Sequence, residues 1–155
     1  MLFYLAQNCA ATLAEGLAEY YAAHPFLKRG DALSPAAQTF FRCHDTVHVV
    51  YGCDTSLPHE AIVKLSSFFG TTEGLRVMRG YRLYESLDIY RQLSAADIMH
   101  TIAAAPFIVP RTIWRCARQR RRWPWDSFDA FLATPLRELR ADFGIRVATT
   151  AGRSN

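Results

Sequence analysis

Two imidazoles and two carboxylates fall between residues 44 and 60, and their spacing suits a metal. His44, Asp45 and His48 lie in the stretch Arg42 to Gly52. On a helix turning about 100° per residue these three share one arc of about 100°. The turn-prone segment Gly52 to Pro58 predicts an end to that helix and a second helix folded back, with Glu60 in its opening turn facing the same arc. An N/O donor set without thiolate suits zinc, with ligand distances of about 2.0–2.2 Å; iron or manganese fits a more open site. The competing reading is a solvated helix face, with Glu60 in a first turn because the helix dipole favours an acid there. His59 projects about 100° away from Glu60, which assigns it a surface or supporting role outside the ligand set.

A cation held this way polarises a substrate carboxylate or lowers the pKa of a bound water toward about 7, provided one position stays exchangeable. Four ligands closing a tetrahedron make the metal structural instead. Asp45 or Glu60 swinging free becomes a general base.

The pattern His44-Asp45-x-x-His48, eleven further residues, then Glu60, with Gly52 between, resembles the signature of the ubiquinone (coenzyme Q) biosynthesis protein family of the COQ-four type. A second likeness lies in Trp125-Asp126 and in Pro135 through Ile145, which is similar to that family's closing helix and its Leu-Gly-Ile-like ending. The chain resembles a short, divergent, bacterial-like member. The resemblance implies an all-helical peripheral membrane protein holding a metal through His44, Asp45, His48 and Glu60, with a polyprenylated aromatic quinone precursor as substrate. It also implies a lyase activity, oxidative decarboxylation at ring carbon one that replaces a carboxylate with a hydroxyl. No flavin or haem motif is visible, so the oxidising equivalents come from outside the motifs of this sequence.

Composition agrees with a helical domain. The 155 residues are 50% hydrophobic and 21% charged, which predicts one all-α domain of six or seven helices over 1–155, with a frayed tail from about 148. A net charge of +4, with no finger or helix-turn-helix spacing, argues against nucleic acid as a partner. Cys9, Cys43, Cys53 and Cys116 show no C-x-x-C spacing and predict reduced thiols in a cytoplasmic compartment.

The elements that must position the ligands follow from local signals. An Ala-rich helix ends at His24-Pro25; its first residues lack the basic start of a signal peptide and the length of a membrane span, and its alternative reading is an interfacial or homodimer helix. Ser34-Pro35 supplies an N-cap and a first-turn proline for the motif helix, whose Phe40, Cys43, Val47, Val50 and Tyr51 anchor it in the core. Pro58 opens the helix of Glu60. A third helical run spans Glu73 to Leu93, where Arg76, Arg79 and Arg82 read as a solvated face, and a fourth helix reaches Ala105. Pro106 and Pro110 predict a kink or a new start. The last helix, Ser127 to Phe143, is split by Pro135 and stopped by Gly144.

The most basic segment places Arg111, Arg115, Arg118 and Arg122 at helical spacing on one face, with Trp114, Trp123 and Trp125 close by. Arginine with tryptophan predicts contact with an anionic membrane surface, at about 1 kcal/mol per charge, and a location peripheral to the inner membrane. Two further functional readings stand beside the enzyme: a non-catalytic prenyl-lipid-binding scaffold that organises other quinone-biosynthesis proteins, and a metal-dependent hydrolase of the H…HD…D kind, for which His24 and Asp97 are the outer residues.

Overall fold

The computed structural model describes residues 2–27, 33–82 and 94–148. Among them the protein is all-α, with six α-helices: α1 (Leu13–Ala23), α2 (Pro35–Tyr51), α3 (Leu57–Gly70), α4 (Met78–Tyr81), α5 (Ala95–Ala117) and α6 (Leu136–Phe143). Single 3-10 turns occupy Phe3–Leu5, Gly74–Val77 and Phe128–Phe131. The expected tail beyond residue 148 and most of the run to Leu93 lie outside the described residues.

The motif helix α2 forms the centre. The Ser34 hydroxyl accepts from the Ala37 amide, with Pro35 in the first turn as its spacing predicts, and Gly52 closes the helix in the left-handed conformation at φ 64°. A Cβ at Gly52 would lie 2.7 Å from Val147, so both the backbone and the neighbouring chain require glycine there. From Cys43 to Tyr51 every residue of α2 is buried, because α1, α3 and the closing segment surround it. A helix covered all round has no solvated face. The ligand arc therefore points into packed protein.

Helix α1 starts with a capping box between Thr12 and Glu15 and lies against α2. Its preceding strand-like segment pairs with 132–137: the Leu13 amide donates to Thr134, and the Leu136 amide donates to Ala11. Helix α5 runs along α3. No new helix starts at Pro110: α5 is one helix from Ala95 to Ala117 with Pro106 and Pro110 inside it. The two prolines are four residues apart, both exposed, so the carbonyls that lose their partners face water rather than the core.

The basic segment also departs from expectation. Helix α5 ends at Ala117, which leaves Arg118 in the closing turn and Arg122 outside the helix. Trp123 and Trp125 are core residues at 0% and 7% exposure, not surface indoles. The chain leaves the helix to hydrogen-bond with the end of α3: the Trp123 amide donates to Gly70, and the Thr72 amide donates to Trp123. This draws the Trp123 ring against Phe131 and Phe143, and Trp125 against Phe40. Among the described residues no helix is long and apolar enough to cross a membrane, and none of the four cysteines forms a disulfide.

Candidate metal centre

Three of the four predicted ligands meet. One donor atom each from His44, His48 and Glu60 lies within 4.8 Å of the others, forming a group that can hold a metal ion. The individual separations are 3.1 Å from His48 Nε2 to Glu60 Oε1 and 3.7 Å from His44 Nε2 to Glu60 Oε2. Ligands at about 2.0–2.2 Å in a tetrahedron stand about 3.3–3.6 Å apart, so a group spread over as much as 4.8 Å has to draw in by up to about 1 Å to share one cation.

The tautomer of His48 follows from its surroundings. Its Nδ1 lies 3.1 Å from the Asp54 carbonyl oxygen, which can only accept, so Nδ1 carries the proton. In the neutral ring Nε2 is then a lone pair. It is fully buried, has no hydrogen-bond partner, and faces an anionic oxygen at 3.1 Å without hydrogen-bond alignment. Two electron-rich atoms at that distance require a proton or a cation between them. In the metal-free protein the proton serves: burial opposes charge on His48, but the negative Glu60, helped by Asp45, outweighs it and lifts the imidazole above its ordinary range. Burial likewise opposes ionisation of Glu60, and the charges of His48 and His44 overcome it and hold the carboxyl below its usual range.

Asp45 does not join the group. One residue along the helix from His44, it is carried around to the other edge of that ring, where its Oδ1 lies 3.7 Å from His44 Nδ1. That is beyond hydrogen-bond reach, and its buried charge acts on the ring only through the field, favouring a proton on the Nδ1 edge and leaving Nε2 for a cation. Sequence reasoning missed Asp54, which acts on His48 in the same sense. Its carboxylate accepts from the Ser56 amide at 2.9 Å and pairs with His59 Nδ1 at 2.8 Å, which fixes the turn whose carbonyl receives His48. The signal was present: an Asp inside the turn-prone segment Gly52 to Pro58 can accept from the backbone amide two residues on, which is an Asx turn. His59, at 6% exposure, is thus a buried support and not a surface residue.

The rings are walled by aromatics. Tyr20 stacks on His48 with centroids 5.3 Å apart, while Phe40 and Tyr81 flank His44 at 5.7 and 5.8 Å. Glu60 is the opening, with a side chain 36% exposed beside histidines at 9% and 0%. His24 packs edge-on to Tyr20 and its Nδ1 lies 3.4 Å from Thr55 Oγ1, outside the metal-capable group; the Asp97 side chain lies outside the described residues.

No family model, curated protein or solved structure matches this chain.

Proposed function

We propose that this is a divalent-metal protein, zinc by preference, that acts on a polyprenylated aromatic quinone precursor of the kind handled by the ubiquinone biosynthesis family of the COQ-four type. The single observation that carries the metal is the buried Nε2 of His48, 3.1 Å from the Glu60 carboxylate and in no aligned hydrogen bond among the described residues. The substrate class rests on the likeness of His44-Asp45-x-x-His48…Glu60 and of the closing segment to that family, and the aromatic walls of the site support it.

Three gathered protein ligands leave room for a water or substrate oxygen, the arrangement of reactive rather than purely structural zinc sites. A bound divalent cation supplies Lewis acidity toward a substrate carboxylate. The chain's own residues do the rest. Asp54 fixes His48, Asp45 acts on His44 through its field, and the half-open Glu60 can release or take a proton at the solvent side. Tyr20, Phe40 and Tyr81 exclude water from the ring faces. The membrane-facing element in this reading is α5, where Met99, Ile102, Phe107, Ile113 and Trp114 are exposed beside Arg111 and Arg118.

Elemental analysis of the purified chain tests the metal, with about one divalent ion per chain expected and its loss in His48→Ala and Glu60→Gln. Native mass spectrometry of co-purified lipid, and release of labelled carbon dioxide from a ring-carboxylated prenyl substrate, test the second half. A chain that binds the metal and lipid without releasing carbon dioxide is the scaffold. A chain with no metal refutes the reading.

A further inference from the structure

A cleft of about 930 Å³ opens beside the closing segment, lined by Arg111, Arg115, Arg118, Arg120, Arg140 and Arg146 together with Gln7, Trp114 and residues 141–147 short of Asp142 and Phe143. Among the described residues no carboxylate lines it. Six of the chain's eighteen basic residues thus share one concavity, although the whole molecule carries a net charge of only +4. The acids of α6 are turned elsewhere: Asp142 pairs with Arg121, and Glu138 lies 3.8 Å from Arg137. Like charges gathered in a half-enclosed space repel one another, and an anion relieves that repulsion.

The cleft is preformed. Gln7 clamps its wall with both ends of one amide, Nε2 donating to the Ile145 carbonyl at 3.1 Å and Oε1 accepting from the Val147 amide at 2.9 Å. The Arg120 amide donates to Phe143 at 2.9 Å, and Gly144, at φ 70°, has no room for a Cβ because the Arg120 nitrogen would lie 2.8 Å from it. This close approach fixes the Arg120 backbone against the segment that carries Arg146, and both residues line the cleft. On the opposite side the Arg118 guanidinium lies over the Trp114 ring at 4.5 Å, which restrains it at the rim. Burial and the neighbouring Arg111 charge both depress the Arg115 pKa, consistent with crowding among cations.

We propose that this cleft binds a compact, multiply charged phosphate group of the diphosphate or phosphate-monoester class. Guanidinium forks match phosphate oxygens in pairs, and several forks around one cavity call for more than a single negative charge. The volume falls within the ~300–1,000 Å³ of small-molecule sites, whereas duplex nucleic acid requires an extended surface. Arg140 is committed to backbone carbonyls and contributes only its field at the floor.

The test is calorimetric titration of inorganic pyrophosphate into the metal-free full chain at fixed ionic strength, with sulfate as the comparison anion. Saturable binding at least about tenfold tighter than sulfate is expected, weakened about tenfold or more in the doubly substituted Arg118→Gln, Arg146→Gln chain and unchanged in Arg42→Gln. Both side chains are exposed, so circular dichroism should show the variant folded. A second arm sediments the chain with vesicles of phosphatidylcholine alone or doped with phosphatidic acid, whose headgroup is a phosphate monoester. Binding to phosphatidic acid that pyrophosphate displaces identifies a lipid headgroup as the phosphate source, and saturable pyrophosphate binding without vesicle binding identifies a soluble one. The proposal is overturned by absent or sulfate-like binding, by a double variant that binds as the parent does, or by vesicle binding that survives both pyrophosphate and the substitutions.

Discussion

Arg140 is the residue on which the end of the motif helix depends, and Arg140→Met is the sharpest test of the fold that positions His48. Arg140 is 1% exposed, and its guanidinium meets no carboxylate among the described residues. Its Nε donates to the Val50 carbonyl at 2.9 Å, and Nη2 donates to Val49 at 2.9 Å and to Tyr4 at 2.6 Å, while Nη1 donates to Ala6. The counter-charge is the negative end of α2 together with the carbonyls of the first turn. Burial pulls the Arg140 pKa down to about 10, which still leaves it charged at neutral pH. Methionine keeps the apolar stem and removes every donor, so the carbonyls of Tyr4, Ala6, Gln7, Val49 and Val50 all lose a bond; Val49 and Ala6 keep the Gly52 and Cys9 amides, while Tyr4 and Val50 are left unsatisfied in the interior. Each buried unsatisfied group costs about 1–3 kcal/mol, and partial relaxation brings the net loss to about 3–5 kcal/mol. At about 2–4 °C per kcal/mol for a chain of this size, the melting temperature should fall by about 6–20 °C. Thermal unfolding by circular dichroism and the urea midpoint at unchanged slope measure this. Arg140→Lys should fall between the two, because one ammonium cannot reach carbonyls on two sides as a fork does. A methionine variant within about 1 kcal/mol of the parent would refute the argument.

Three further outcomes are expected. In the metal-free protein His48, raised above its ordinary 6.5, contributes stability that is full below that pH and lost as pH rises through the raised value, while Glu60, lowered from 4.5, contributes above 4.5 and loses its effect on acidification. Zinc needs the deprotonated imidazole, so the stabilisation that added zinc confers should grow between about pH 5 and about pH 8; a melting-temperature increment flat across that range contradicts the site. Asp54→Ala releases the turn that receives His48 and should weaken metal binding about 10–100-fold in a chelator competition, with Asp54→Asn recovering most of it because an amide oxygen can still accept from Ser56; equal affinities for the alanine and parent chains would remove Asp54 from the account. Gly80→Ala places a methyl 1.9 Å from the Phe40 ring, which packs on His44, and should cost about 1–3 kcal/mol in urea unfolding; an unchanged midpoint would show that Phe40 is free to yield.

Elements with local punctuation were readable and elements held by distant contacts were not. Ser34-Pro35 and Gly52 bound α2 because a cap, a first-turn proline and a left-handed stop act within a few residues. Pro135 and Gly144 bound α6 for the same reason. Prolines 106 and 110 start no new helix because their cost depends on exposure: on the solvent side the orphaned carbonyls find water, and packing against α3 keeps the helix continuous. The arginine and tryptophan run misled. Helical spacing continues past Ala117 in the sequence, but the backbone turns away to bond with Gly70 and Thr72, and both later indoles follow it into the core.

The site divides along the same line. His44 and His48 one turn apart, and Glu60 in the next helix's first turn, converge because helix geometry and a short loop suffice to bring them together. Asp45 fails to converge for an equally local reason, since a step of about 100° places it at the opposite ring edge. What no local pattern reveals is which nitrogen of His48 holds the proton, because that depends on the Asp54 carbonyl, a group every residue possesses. Nor does spacing reveal Arg140, ninety residues from the α2 carbonyls it satisfies. A histidine pair in a sequence therefore becomes a candidate metal site through groups that sequence spacing does not show. Here a backbone oxygen commits one nitrogen, a buried arginine secures the helix end behind it, and the remaining lone pair is left facing a carboxylate. Removing any of these should cost metal affinity before it alters the ligands themselves.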